Sequence, residues 1–167
     1  MKAEAKSELQ KIISDYDDKL AEAERAAAAK RAEHASFPAR FVTLKTGVIQ
    51  PTAQEIADML NERGHSASVR EQEESSTVEG SVKSAAVSLR IVPKPFAHKA
   101  AEANAVSIEV TFSANRGERK VAVSSTNTMI NHGGTVGKLG EYEIDAVTSD
   151  IVAKHVIQTL TDAFRGR

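Results

Sequence analysis

A single apolar stripe runs through the first third of the chain and constrains the fold more than any other feature. Stepping alternately by four and three residues from Leu9 visits Ile13, Tyr16, Leu20, Ala23, Ala27, Lys30, His34, Phe37, Phe41, Leu44 and Val48. Ten of these twelve positions are apolar. Such spacing describes a coiled-coil seam or one face of a long packed helix. The seam is uneven in energy, because residues 21–36 hold no apolar side chain larger than alanine. Each buried alanine removes little surface from water, so the driving force concentrates in Leu9, Ile13, Tyr16 and Leu20. Lys30 and His34 belong at a rim or weaken the seam there.

Ser36-Phe37-Pro38 predicts a break in this helix near residues 35–37. Proline in a helix interior removes a backbone bond and clashes with the preceding turn, but it is tolerated in a first turn. Ser36 is then the expected N-cap of a second helix ending near Arg63, with Gly64 just past its end. Phe41, Leu44, Val48, Ile56, Met59 and Leu60 mark its expected buried face. Gly47 and Pro51 should kink it, or split it with Pro51 opening the second piece. The expected division is a coiled-coil-like helix over residues 1–36 and an α+β domain over 37–167.

Beyond residue 65 the period changes to two. Val106, Ile108, Val110 and Phe112 alternate with Ser107, Glu109, Thr111 and Ser113. Residues 85–92 and 119–125 repeat the pattern, and 141–147 sets Tyr142, Ile144 and Ala146 against Glu141, Glu143 and Asp145. A weaker strand is expected at 66–71. One wet face per strand favours antiparallel pairing. Asn115-Arg116-Gly117 reads as a hairpin turn with Gly117 at positive φ. Thr148 or Ser149 can cap a last helix over 149–165, whose stripe is Val152, Val156, Leu160, Ala163 and Phe164. The expected class is α+β: long N-terminal helix or helices, then an antiparallel sheet of four to five strands, covered on one face by helices, with a C-terminal helix. Polar, Ser-rich residues 71–84 read as a mobile loop. Residues 93–104 read as a connection with a short helix from Pro95.

Composition excludes several chemistries. The chain has no Cys, so disulfides, thiolate metal sites and thiol nucleophiles are excluded. No stretch resembles a membrane span or a secretory signal, which predicts a cytoplasmic protein. The net charge of −1 hides a basic segment, 81–140, at net +5, with acidic stretches on either side. Nucleic-acid modules carry denser, clustered positive charge, and stacking aromatics are missing from the expected sheet face.

The most unusual segment is Asn127–Gly140, NTMINHGGTVGKLG. Glycine-rich backbone can turn N–H groups toward an anion, which makes His132, Gly133, Gly134 and Lys138 the candidate ligand residues. The spacing is not that of a phosphate-binding loop: Leu139 follows Gly137-Lys138 where Ser or Thr is required. A long inter-strand connection is the simpler reading. His34, His65, His98, His132 and His155 show no metal-ligand spacing and read as surface or structural groups. Glu141, Glu143 and Asp145 read as cross-strand partners of Arg90 and Lys120.

Together these features point to a non-catalytic, self-associating protein-interaction module with no cofactor and no metal. A helix over residues 3–35 runs about 50 Å. That exceeds a compact domain of the remaining chain, with a radius of gyration of roughly 14 Å. Part of it is expected to need a partner, most simply the same helix of a second copy in a homodimer, with Leu9, Ile13, Tyr16 and Leu20 as seam. A protein partner of the α+β domain is a further expectation. A nucleic-acid role for 81–140 ranks second, and an enzyme site in 127–140 third.

Overall fold

The computed structural model describes residues 3–76, 78, 80–98, 106–128 and 135–165. The chain divides into two compact units, Met1–Phe37 and Pro38–Arg167. The class is α+β: a long N-terminal helix, a five-stranded antiparallel sheet and a C-terminal helix.

Helix α1 spans Ala3–Leu44 without interruption and holds Pro38 in its interior. The expected break at residues 35–37 does not form. Nor does Ser36 cap a new helix: its hydroxyl donates to the Glu33 carbonyl at 3.1 Å. Proline deletes one hydrogen bond from the ladder, and the strong helix formers preceding it, Ala26–Ala29 among them, keep the remaining bonds in register. Among residues 6–36 every residue is exposed except Ala21, which is half-buried.

The second unit begins with the last two turns of α1 and a π-helical segment, Lys45–Ile49, followed by helix α2, Gln50–Glu62. The Gln50 amide donates to the Lys45 carbonyl five residues back, and Pro51 sits in the first turn of α2. Pro51 cannot donate to the Gly47 carbonyl, and in a regular helix its ring would collide with it. The wider turn relieves that collision. It also shifts the buried face by one residue. The positions that sink are Phe41, Lys45, Ile49, Ala53 and Ala57. The expected Leu44, Val48, Ile56 and Leu60 are half-buried, and Met59 is exposed.

α2 ends as its sequence implies. Gly64 takes φ +87°, its N–H bonds the Asn61 carbonyl at 2.9 Å, and the His65 N–H bonds the Leu60 carbonyl at 3.1 Å. This double bond is the Schellman arrangement that favours glycine after a helix.

Strands β1 (Ser66–Gln72), β4 (Ala86–Val92), β5 (Ile108–Asn115), β6 (Lys120–Asn127) and β7 (Thr135–Glu143) form the sheet in the order β1-β4-β5-β6-β7, every neighbour antiparallel. The register pairs Leu89 with Val110 and Phe112 with Val123. These residues, with Val87, Ile91, Ile108 and Val121, bury one face completely. Helix α2 lies against β1 and β4, and helix α3 (Ser149–Arg165) against β5 and α2. Thr148 caps α3, accepting the Ile151 amide at 3.4 Å.

Several expectations are corrected in this unit. Residues 71–84 are not one loop, because β2 (Ser75–Ser76) and β3 (Val82–Lys83) pair as a short hairpin. The last strand runs 135–143 rather than 141–147, and Ile144–Ala146 forms a 3₁₀ turn that leaves Ala146 exposed. In the β5–β6 hairpin the positive φ falls on Arg119 at 55°, not on Gly117, and the Asn115 side chain accepts the Glu118 amide at 3.3 Å. Phe164 is exposed, and His155 and Thr159 take buried places on the inner face of α3. Lys94–His98 form turns rather than the start of a helix, with Phe96 N–H bonding the Pro93 carbonyl at 2.9 Å. The remainder of that expected helix lies outside the described residues.

Candidate interaction surface

On α1 the four seam residues leave their side chains in water. Leu9 is 48% exposed, Ile13 50%, Tyr16 65% and Leu20 47%. They share one face because the 4-3 spacing nearly matches the helical period. Ile12 belongs beside them, 60% exposed, and widens the stripe toward one side. The strict 4-3 stepping passes over it, although two adjacent isoleucines are themselves a signal of a wider face. Five large apolar side chains within twelve residues are more than the scattered exposure of a typical surface.

The second unit carries another exposed apolar feature. A groove of about 560 Å³ runs between α2 and α3, lined by Ile56, Met59, Leu60, Ala153 and Ile157 and rimmed by Glu55, Glu62 and Arg63. Met59 and Ile157 are each more than 60% exposed.

The expected ligand loop is reduced. His132, Gly133 and Gly134 lie outside the described residues. Lys138 stands on β7, where its Nζ pairs with Glu141 at 3.0 Å and holds that carboxyl below its usual range. Gly137 and Gly140 are likewise strand residues. Gly140 faces Val123, and a Cβ there would lie 3.0 Å from the Tyr142 ring, so the aromatic ring takes the space a side chain would need. Between Lys138 and Gly140 the register slips by one, which makes Leu139 a bulge.

Among the described residues, several basic side chains of segment 81–140 are matched by carboxylates. Arg116 pairs with Glu74 at 2.7 Å, Lys120 with Glu143 at 3.7 Å, and Arg90 stands opposite Glu109 in the register. Lys120 thus meets one of its expected carboxylates, whereas Asp145 sits off the strand and pairs with Arg40 at 2.6 Å.

Two polar clusters, each built on one buried cation or imidazole, escaped the sequence reading. Lys45 is 3% exposed and drives its Nζ between Glu73, at 2.6 Å, and Glu71, at 3.0 Å. The bond to Glu73 raises its pKa, opposed by burial and aided by Glu71. Gln50 donates to the same Glu71 at 2.8 Å. A lysine in an apolar periodicity gave no signal of this, because the π turn places it inward. On α3, His155 Nε2 and the Tyr142 hydroxyl are 2.7 Å apart, and His155 Nδ1 is buried with no hydrogen-bond partner. Burial, with Lys154 as a lesser cause, pushes the imidazole pKa down. Both clusters tie helices to strands within the second unit. His65 is also structural: its Nδ1 accepts the Lys94 amide at 3.1 Å and its ring stacks on Phe164.

Among the described residues no group of three or more His, Asp or Glu side chains is arranged to hold a metal, and no helix is long and apolar enough to cross a membrane. No family model, no curated protein and no solved structure matches the chain.

Proposed function

We propose that this protein is a non-catalytic, self-associating interaction module whose N-terminal helix pairs with that of a second copy. The observation that carries this reading is the exposed stripe of Leu9, Ile13, Tyr16 and Leu20 on α1. Two copies bring eight such side chains together, each about half exposed in the single chain. Burying a whole side chain of this size gains about 1.5–3 kcal/mol, so the pair gains on the order of 10 kcal/mol. Association itself costs about 4–15 kcal/mol. With the cost at its low end, about 6 kcal/mol remains, a reversible dimer at roughly tens of micromolar or weaker.

The groove between α2 and α3 supports the wider reading of a protein-interaction module. Its apolar floor and charged rim have the chemistry of a protein contact.

Light scattering and sedimentation from about ten to several hundred micromolar test the proposal in the concentration range set by this balance. The full-length chain should move from monomer to dimer across that range. Ile13→Asp with Leu20→Asp should remain monomeric throughout, with its sheet circular dichroism intact. A full-length chain that stays monomeric at the highest concentration would overturn the reading.

A further inference from the structure

The placement of charge on the stripe selects how two helices pair. Resting on the self-association reading above, we infer that the second copy packs antiparallel, with the two-fold axis passing between Ser14 and Asp15. Closed two-fold symmetry allows a helix only two ways to meet itself: parallel in register, or antiparallel about a point on its length.

In the parallel arrangement every seam residue faces its own copy. Lys6 and Lys30 occupy seam positions by the same 4-3 spacing that places Leu9 and Leu20 there. Two like-charged pairs then oppose each other across the contact, Lys6 directly before the Leu9–Leu20 layers and Lys30 beyond the weak Ala23 and Ala27 layers. The attraction a parallel pair offers in return is Lys19 to Glu24 across the rim, an exposed contact of small worth.

In the antiparallel arrangement about Ser14 and Asp15 each residue faces the one whose number completes a sum of 29. Leu9 meets Leu20, and Ile13 meets Tyr16, so the four seam side chains of each copy pair with large side chains, while Ile12 flanks the seam level with Asp17. Lys6 meets Ala23, a small residue whose neighbours in sequence are Glu22 and Glu24. A long lysine stem can cross an alanine and set its ammonium between those two carboxylates. Lys30 no longer faces its own copy, so its charge is parted from the one it opposes in the parallel arrangement. Like charges are separated and opposite charges are brought together in one step.

The chain has no cysteine, so introduced thiols report the arrangement without background. Leu9→Cys and Leu20→Cys chains are prepared separately, checked for helix content, and oxidised alone and as an equimolar mixture. In an antiparallel pair of Leu9→Cys chains the two introduced thiols are offset along the axis by about 16 Å. A disulfide requires Cα atoms within about 7 Å. The mixture should therefore cross-link at least about tenfold faster than either variant alone. A second arm is free of thiols. Lys6→Glu should weaken association of the full chain, and Lys6→Glu with Glu22→Lys and Glu24→Lys should restore it.

Rapid cross-linking of Leu9→Cys alone, in a chain that does associate, would overturn the antiparallel arrangement and leave self-association standing. No rescue by the charge swap would overturn it as well. A wild-type chain that remains monomeric at several hundred micromolar would instead remove the reading on which it rests.

Discussion

Strand β5 and the first half of α1 are written in the same language, an apolar residue at each turn of the local period, yet their side chains end in opposite surroundings. In β5, Ile108, Val110, Phe112 and Ala114 are buried and the residues between them half-buried. In α1, Leu9, Ile13, Tyr16 and Leu20 are about half exposed. The difference teaches that periodicity fixes which side of an element is apolar and leaves open what covers it. A strand has neighbours supplied by its own sheet and by α3. A helix of 42 residues carries its stripe over roughly 63 Å, and burial along it depends on a surface of equal length.

The sharpest way to break this comparison is to truncate one apolar side chain on each side of it. Phe112→Ala should destabilise the second unit by about 3–5 kcal/mol in urea unfolding, since the ring is fully buried and leaves a cavity. Ile13→Ala should change the unfolding of dilute, monomeric chain by less than about 0.5 kcal/mol, as exposed substitutions do. Its effect should surface as weaker association in light scattering. Equal losses from both changes would mean that α1 is covered within a single chain.

A smaller effect separates apolar from polar burial within the second unit. Lys45→Met keeps the buried stem and removes the ammonium from Glu73 and Glu71. Those carboxylates are 73% and 39% exposed at their side chains, so they regain water. The expected loss is about 1–2 kcal/mol, below the cost of breaking a fully buried pair. Lys45→Ala should lose more, because it also empties the space of the stem.

The smallest effect concerns pH. The folded chain holds His155 below the ordinary imidazole pKa of 6.5, chiefly through burial. The neutral ring is therefore the folded form, and the unfolded chain takes up the proton first. The stability supplied by this group is complete above about pH 6.5 and is lost as pH falls from there through the depressed folded value. Urea midpoints should drop between about pH 7.5 and about pH 5.5, and His155→Gln should flatten that drop. An unchanged slope in the variant would assign the pH dependence to other groups.

Much of the fold was legible because burial follows simple periods. Val87, Leu89 and Ile91 alternate with polar residues and form a strand, and Thr148 with the 3.6-residue stripe after it marks α3. Other features were illegible for physical reasons. The π turn shifts the buried face by one residue, and its only trace is a glycine and a proline four residues apart, Gly47 and Pro51. Strand β7 hides behind Gly137, Gly140 and the bulge at Leu139, which break the alternation where the backbone still pairs. The apolar seam on α1 was visible as a pattern, but Ile12 was not, because a fixed step excludes a neighbour on the same face. The Tyr142–His155 and Lys45–Glu73 contacts join residues distant in sequence, and nothing local announces them.

Asn61, near the end of α2, imitates a strand. Its side-chain amide donates to the Ala67 carbonyl at 3.0 Å and accepts the Ala67 amide at 2.7 Å, the two bonds a neighbouring backbone would make. β1 is an outer strand of the sheet, and an outer strand is a template for the next chain that arrives. With both groups of Ala67 already occupied by a residue from its own helix, an incoming strand must first displace that amide. The sheet thus carries a lock against growth at this margin. The lock is one asparagine wide, and solvent exchange of the Ala67 amide proton should be slow for an outer strand because of it.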